Sequence, residues 1–200
     1  MYVAIEGIDT AGKSTQIAAL ERAFPDALIT KEPGATAIGG EIRKLLLEGS
    51  ITNPKTEFLL FLADRSEHLS SVIKPNLNRL IISDRSVVSG VAYALSSQSI
   101  EDQAIIQLNR FATDNILPEI VFLLELTPKE LEKRLGAKKL DGIESRGTKY
   151  LLEIQSNLKR AAQMLNIPLI RIDATLKINT ISMQIIETIQ KKQKYKKTII

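Results

Sequence analysis

Apolar residues come in two rhythms along this chain, and their alternation predicts its layout. Short apolar runs stand at 2–7 (YVAIEG), 27–30 (ALIT), 79–84 (RLIISD), 119–126 (EIVFLLEL) and 167–173 (IPLIRID). The runs at 79–84 and 119–126 are continuous, as strands buried on both faces of a parallel sheet require. Between them the spacing turns helical. Ile17, Leu20 and Phe24 set a helix over 13–24, and a second pattern over 38–49 stops near Gly49. A long helix spans 55–74 and must end before Pro75, and the chain closes with a helix over about 177–194. The segment 31–36 (KEPGAT) is a turn-rich loop. Strands alternating with helices predict a single α/β domain over 1–200, a parallel five-stranded sheet flanked by helices through right-handed crossovers. No repeat, low-complexity stretch or Pro/Gly/Ser linker divides it.

Composition narrows the class. Two hundred residues can bury a substantial core, and 44% hydrophobic with 25% charged residues is ordinary for a globular protein. The chain has no cysteine, which excludes disulfides and thiolate metal sites. Its formal net charge is +4, but five lysines sit in the tail KKQKYKK, within 191–200, so the body is nearly neutral. That tail reads as a solvated helix end, and neither nucleic acid nor membrane is expected as a partner. No apolar run has membrane-spanning length, and the first residues lack the basic start and long apolar stretch of a signal peptide. A cytoplasmic enzyme is the expectation.

The chemistry begins at EGIDTAGKST (6–15), directly after the first strand. Gly7, four residues (Ile8, Asp9, Thr10, Ala11), then Gly12, Lys13 and Ser14, followed by Thr15, spell the phosphate-cradling loop between a strand and a helix. Glycines let the backbone curl so that its N–H groups face phosphate oxygens at the positive end of the helix. Lys13 would reach the β- and γ-phosphates and the Ser14 hydroxyl would ligate Mg²⁺, so the loop predicts an ATP-type ligand. Asp84 ends an apolar strand, where parallel sheets present their ligand sites, and suits the same metal. Arg85 beside it can bind a phosphate bidentately. Phe61 and Arg65 stand at i and i+4 on one helix face, a pairing open to two readings: core plus surface, or a seat for a planar base. His68, the only histidine, reads as structural.

The segments EGIDTAGKSTQ, KEPGAT, FLLFLADRSEH, SDRSVVSGVAY and LDGIE, in this order and spacing, resemble those of thymidylate kinases, from residue 2 to about 173. The resemblance implies a P-loop nucleoside monophosphate kinase fold with a short lid. It also implies transfer of the ATP γ-phosphoryl group to dTMP with Mg²⁺, and a homodimer formed through helices such as 55–74. Asp9 would accept from the deoxyribose 3′-hydroxyl, Phe61 would stack on thymine and Arg65 would donate to its O4. Arg85 would hold the acceptor phosphate, while Ser89 and Tyr93 would line base and sugar, Tyr93 crowding the 2′ position. Glu32 would sit near the magnesium, and Pro33 matches a proline that follows a cis bond at the acceptor site. Another P-loop nucleotide or nucleoside kinase is the alternative within the fold. A GTP-dependent switch would need an N-K-x-D string, which is absent.

Three positions depart from the family pattern. Gly34-Ala35 replaces two glycines, Gly90 stands where other members carry an Asn or Gln against the base, and Thr10 replaces a loop arginine found in one subgroup. Without that arginine, charge for the transfer is expected from the lid at 132–147, where the candidate cations are Arg134, Lys138, Lys139 and Arg146; Lys138 aligns best with the catalytic one.

Overall fold

The computed structural model describes residues 1–47, 51–136 and 147–198, with side chains through 195. Strands β1 (Tyr2–Glu6), β2 (Leu28–Lys31), β3 (Ile81–Asp84), β4 (Ile120–Glu125) and β5 (Leu169–Asp173) form one sheet in the order β2-β3-β1-β4-β5. Every neighbouring pair is parallel, as the continuous apolar runs predict. The middle strands are the most buried: Val3, Ala4, Ile5, Val121, Phe122, Leu123 and Leu124 are all fully enclosed. A smaller apolar cluster of Tyr2, Leu69, Ile73 and Ile81 sits apart from this main core.

Among the described residues the helices are α1 (Lys13–Ala23), α2 (Ala37–Leu47), α3 (Pro54–His68), α4 (Val87–Ser97), α5 (Asp102–Ala112), α6 (Pro128–Leu135), α7 (Thr148–Met164) and α8 (Ile178–Thr198). Helix α3 starts on the Asn53 side chain, which accepts from the Lys55 N–H, with Pro54 in the first turn. The long helix read over 55–74 is not one regular helix. It is α-helical to His68, then makes a π turn over Leu69–Ile73 and a short 3₁₀ segment, Lys74–Asn76. Pro75 has no N–H to continue the α ladder, so the chain leaves it through wider and tighter turns. Helix α4 had no apolar stripe to mark it, because Val87 to Ala92 are buried all round. No helix among the described residues is long and apolar enough to cross a membrane.

The register brings three loops to one end of the sheet. Ile5 of β1 and Lys31 of β2 both pair with Asp84 of β3. The chain therefore leaves β1, β2 and β3 side by side at their carboxyl ends, where the strand order reverses about β1.

Candidate active site

The loop after β1 takes left-handed backbone at Thr10 (φ 67°) and Gly12 (φ 97°) before α1 begins at Lys13. Gly7 has no room for a side chain, since a Cβ there would lie 2.9 Å from the Leu124 carbonyl oxygen. The buried Lys13 ammonium folds back to donate to the carbonyls of Gly7 (3.0 Å) and Ile8 (3.2 Å), 3.6 Å from Asp9. Burial, and then the neighbouring Arg85, push its pKa down to about 8 against the pull of Asp9 and Asp84.

Arg85, left-handed at φ 68°, follows β3 and reaches across to the same loop. Its guanidinium donates to Asp9 Oδ1 (2.5 Å), the Gly7 carbonyl (3.2 Å) and Ser89 Oγ (3.2 Å), and lies 5.9 Å from the Tyr93 ring centre. Ser89 Oγ donates in turn to Glu6 Oε2 (2.5 Å), while Ser86 Oγ donates to Glu6 Oε1 (2.8 Å). Glu6 is wholly buried, and that burial raises its carboxyl pKa. The end of β1, the loop and the start of α4 thus form one polar unit, to which reading the sequence assigned no part for Glu6 or Ser86.

A cleft beside this unit is lined by Asp9, Glu32, Pro33, Phe61, Arg65, Arg85, Ser89, Gly90 and Tyr93, joined by Arg43, Leu46, Leu47 and Glu57. Phe61 is half-buried on its wall, and the Tyr93 hydroxyl is buried with no partner among the described residues. Burial pushes the Tyr93 phenol up to about 12, so it stays a neutral donor. The Glu32–Pro33 bond is cis. This loop is held from two helices: Arg43 donates to the Pro33 carbonyl (3.0 Å), and the buried Asp64 accepts from the Gly34 N–H (2.9 Å). The positive φ of the turn falls on Gly34 (99°) and not on Ala35, which is how alanine is tolerated there.

A second cleft, on the other side of the loop, brings Ser14 and Asp84 together with Lys31, Gly34 and Ala35. Asp84 Oδ1 is buried with no hydrogen-bond partner among the described residues, an open acceptor in that cleft. Glu32 does not join them. Its Oε2 accepts from Arg65 Nε (2.9 Å) and its Oε1 from His68 Nδ1–H (3.0 Å), while Thr30 Oγ1 bonds the other ring nitrogen at 2.7 Å. Burial opposes charge on Glu32, but Arg65 and His68 outweigh it and hold the carboxyl below its usual range. The expectation of Glu32 near a metal is therefore revised: the side chain faces the acceptor-side cleft and braces Arg65. His68 is structural, as read, fully buried in the same chain of bonds.

Of the cations expected in a lid, Arg134 lies on α6 and donates to Glu130 (2.8 Å), the Thr10 carbonyl (2.9 Å) and the Ala174 carbonyl (2.9 Å). Lys138, Lys139 and Arg146 lie outside the described residues.

This arrangement has relatives. The family model for thymidylate kinase matches residues 5–185. The chain belongs to the thymidylate kinase family. It is 60% identical over 189 residues to the thymidylate kinase of Sulfurimonas denitrificans, a match covering 94% of this chain and 99% of that one. The thymidylate kinase of Aliarcobacter butzleri is 55% identical over 182 residues, 91% of this chain and 95% of its own. The crystal structure of thymidylate kinase from Ehrlichia chaffeensis superposes with a TM-score of 0.75 at 26% identity, covering 95% of this chain and 98% of that one. The P-loop nucleoside monophosphate kinase fold expected from the sequence is thus the fold of a thymidylate kinase family member.

Proposed function

We propose that this chain transfers the γ-phosphoryl group of ATP to dTMP, giving dTDP and ADP, with Mg²⁺ accompanying the donor. The observation that carries it is a triad at the foot of the phosphate loop: Arg85 and Lys13 converge on Asp9 at 2.5 and 3.6 Å, and Asp9 and Arg85 line the cleft that also holds Phe61 and Arg65. A phosphate donor held by the loop and an acceptor held in the Phe61–Arg65–Tyr93 cleft meet at that point. An acceptor phosphate oxygen attacks the γ-phosphorus there as the bond to the β-bridging oxygen breaks. Such a transfer asks the protein for positioning and for positive charge rather than covalent chemistry.

Each residue has a part that its position supports. Lys13 exchanges its two loop carbonyls for the β- and γ-phosphate oxygens. Arg85 holds the acceptor phosphate, and Asp9 orients Arg85 and accepts from the sugar hydroxyl. Phe61 stacks on the base, Arg65 donates to its edge, and Ser89, Tyr93 and Pro33 close the sugar side. Among the described residues no three acidic or histidine side chains form a metal cluster, so the ion would be held by Ser14 and Asp84 together with phosphate oxygens and water. When bound, Mg²⁺ supplies charge neutralisation on the phosphates.

The chain also acts as a homodimer. Helices α3 and α5 pack on each other and leave Leu59, Leu108 and Phe111 exposed, the last at 82%. A second copy is the occupant that gives these apolar side chains a dry environment.

ATP consumption coupled in parallel to dTMP, dUMP, dCMP, dGMP and thymidine tests the reading. dTMP should be the preferred acceptor. Preference for thymidine or for another monophosphate would move the chain to the alternative kinase.

A further inference from the structure

Arg65 is a charged side chain in an almost closed place, 3% exposed in the wall of the acceptor-side cleft. Such a group needs its donors answered. Nε donates to Glu32 at 2.9 Å, and Nη1 donates to Asn109 Oδ1 at 2.7 Å. Nη2 has no partner among the described residues, although Arg65 lines the cleft. The Glu32 contact neutralises the charge but leaves the guanidinium plane free to turn about it. The Asn109 contact, made from α5 at 44 residues' separation, removes that freedom.

Asn109 is itself fixed. It is fully buried, and its Nδ2 donates to the Ile105 carbonyl at 2.8 Å. Arginine only donates and a carbonyl only accepts, so the amide has one orientation, with Oδ1 aimed at Arg65. On the third side lies Gly90 of α4. A Cβ there would meet Nη2 at 2.4 Å, Nη1 at 2.7 Å and Cζ at 2.8 Å. A long flexible side chain usually yields to such an intrusion, but this one is tied at both ends. The space that a side chain at position 90 would enter is occupied by Arg65 itself.

We propose that Asn109 and Gly90 are positioning residues for acceptor recognition: together they seat the Arg65 guanidinium so that Nη2 faces the base. This rests on the reading of Arg65 as a base-contacting residue. A seated donor selects a pyrimidine with a carbonyl oxygen at its 4-position and rejects one with an amino group there, where donor would face donor.

The test is steady-state kinetics with dTMP, dCMP and ATP on Arg65→Ala, Asn109→Leu, Asn109→Asp and Gly90→Ala, and on the Arg65→Ala/Asn109→Leu pair. Asn109→Leu and Gly90→Ala should each raise KM for dTMP about tenfold, with KM for ATP held within about twofold and the dTMP-over-dCMP preference reduced. Asn109→Asp keeps the acceptor oxygen and should restore most of the loss. The pair should be no worse for dTMP than Arg65→Ala alone, because both remove one interaction. Unchanged dTMP kinetics in both Asn109→Leu and Gly90→Ala, equal losses for ATP and dTMP, or additive losses in the pair overturn the proposal. If Asn109→Leu does not fold, Gly90→Ala decides. Unchanged dTMP kinetics in Arg65→Ala would instead sink the reading of Arg65, and the seating with it.

Discussion

Lys13 is held in the loop by two carbonyls and one carboxylate, and burial brings its pKa from an ordinary 10.5 to about 8. Between those two values the unfolded chain keeps a proton that the folded one has released. From this group, stability of the free protein is flat below about pH 8 and rises with pH through the window to 10.5. Phosphate oxygens favour the charged ammonium, so ATP binding at pH 9 should take up a proton and weaken as pH rises, while binding at pH 7 should take up almost none. Calorimetry in two buffers of different ionisation heat reads this directly. Lys13→Ala should abolish the uptake and lower kcat by on the order of 10²-fold or more; a folded variant with normal turnover would remove Lys13 from the mechanism. Phe61 is only half-buried, so its loss should be felt in binding rather than folding. Phe61→Ala should raise KM for dTMP by an amount equivalent to roughly 1–3 kcal/mol, leaving KM for ATP and Tm nearly unchanged. A drop in Tm at constant KM would make Phe61 a packing residue.

At the scale of the element, α3 shows how one helix organises a site. Phe61, Asp64, Arg65 and His68 fall at i, i+3, i+4 and i+7, a single face by the 3.6-residue period. Where a core-facing helix would carry apolar residues throughout, this stripe is largely polar, and three of the four are buried. Each polar member is answered from another element: Asp64 by the Gly34 N–H, Arg65 by Glu32 and Asn109, His68 by Glu32 and Thr30. The segment 132–147, expected as a lid, bears on the phosphate loop through Arg134. Thr10 contributes no charge to the loop, and Arg134 reaches it only to hold its carbonyl. Lys138→Ala is therefore expected to lower kcat by on the order of 10²-fold with little change in KM for dTMP. Neutralising Arg134, Lys138, Lys139 and Arg146 one at a time and measuring kcat identifies the cation. No effect from any of them would leave Lys13, Arg85 and the metal as the whole positive charge.

For the whole molecule, the strand order sets the chemistry. With β1 flanked by β3 and β4, the loop after β1 lies beside Asp84 and Arg85, some seventy residues later in the chain. The same packing leaves Leu59 (58% exposed) and Phe111 (82% exposed) on the outside of α3 and α5. Charge placed there should break a dimer without touching the clefts. Phe111→Lys is expected to shift the chain from dimer to monomer in sedimentation velocity while far-UV CD stays constant. A wild-type chain that sediments as a monomer at micromolar concentration would refute the assembly.

The sequence by itself determined the local features of this protein. Strand-length apolar runs, the G-x-x-x-x-G-K-S spacing and the Phe61/Arg65 helical pair each rest on neighbours within a few residues, where the period of side chains along the backbone is decisive. The buried strands and the loop they feed were legible for that reason. The tertiary structure alone decided who answers whom. Glu32 turns to Arg65 and His68, 33 and 36 residues away, rather than to Ser14 and Asp84. Asn109 carried one faint signal, its place four after Ile105 and three before Ala112 on the buried face of α5, and nothing in that pattern names Arg65 as its partner. A buried polar group must be satisfied, but its partner is whichever group the packing brings within reach. That choice is made between elements distant in sequence, so it appears only when the chain has folded.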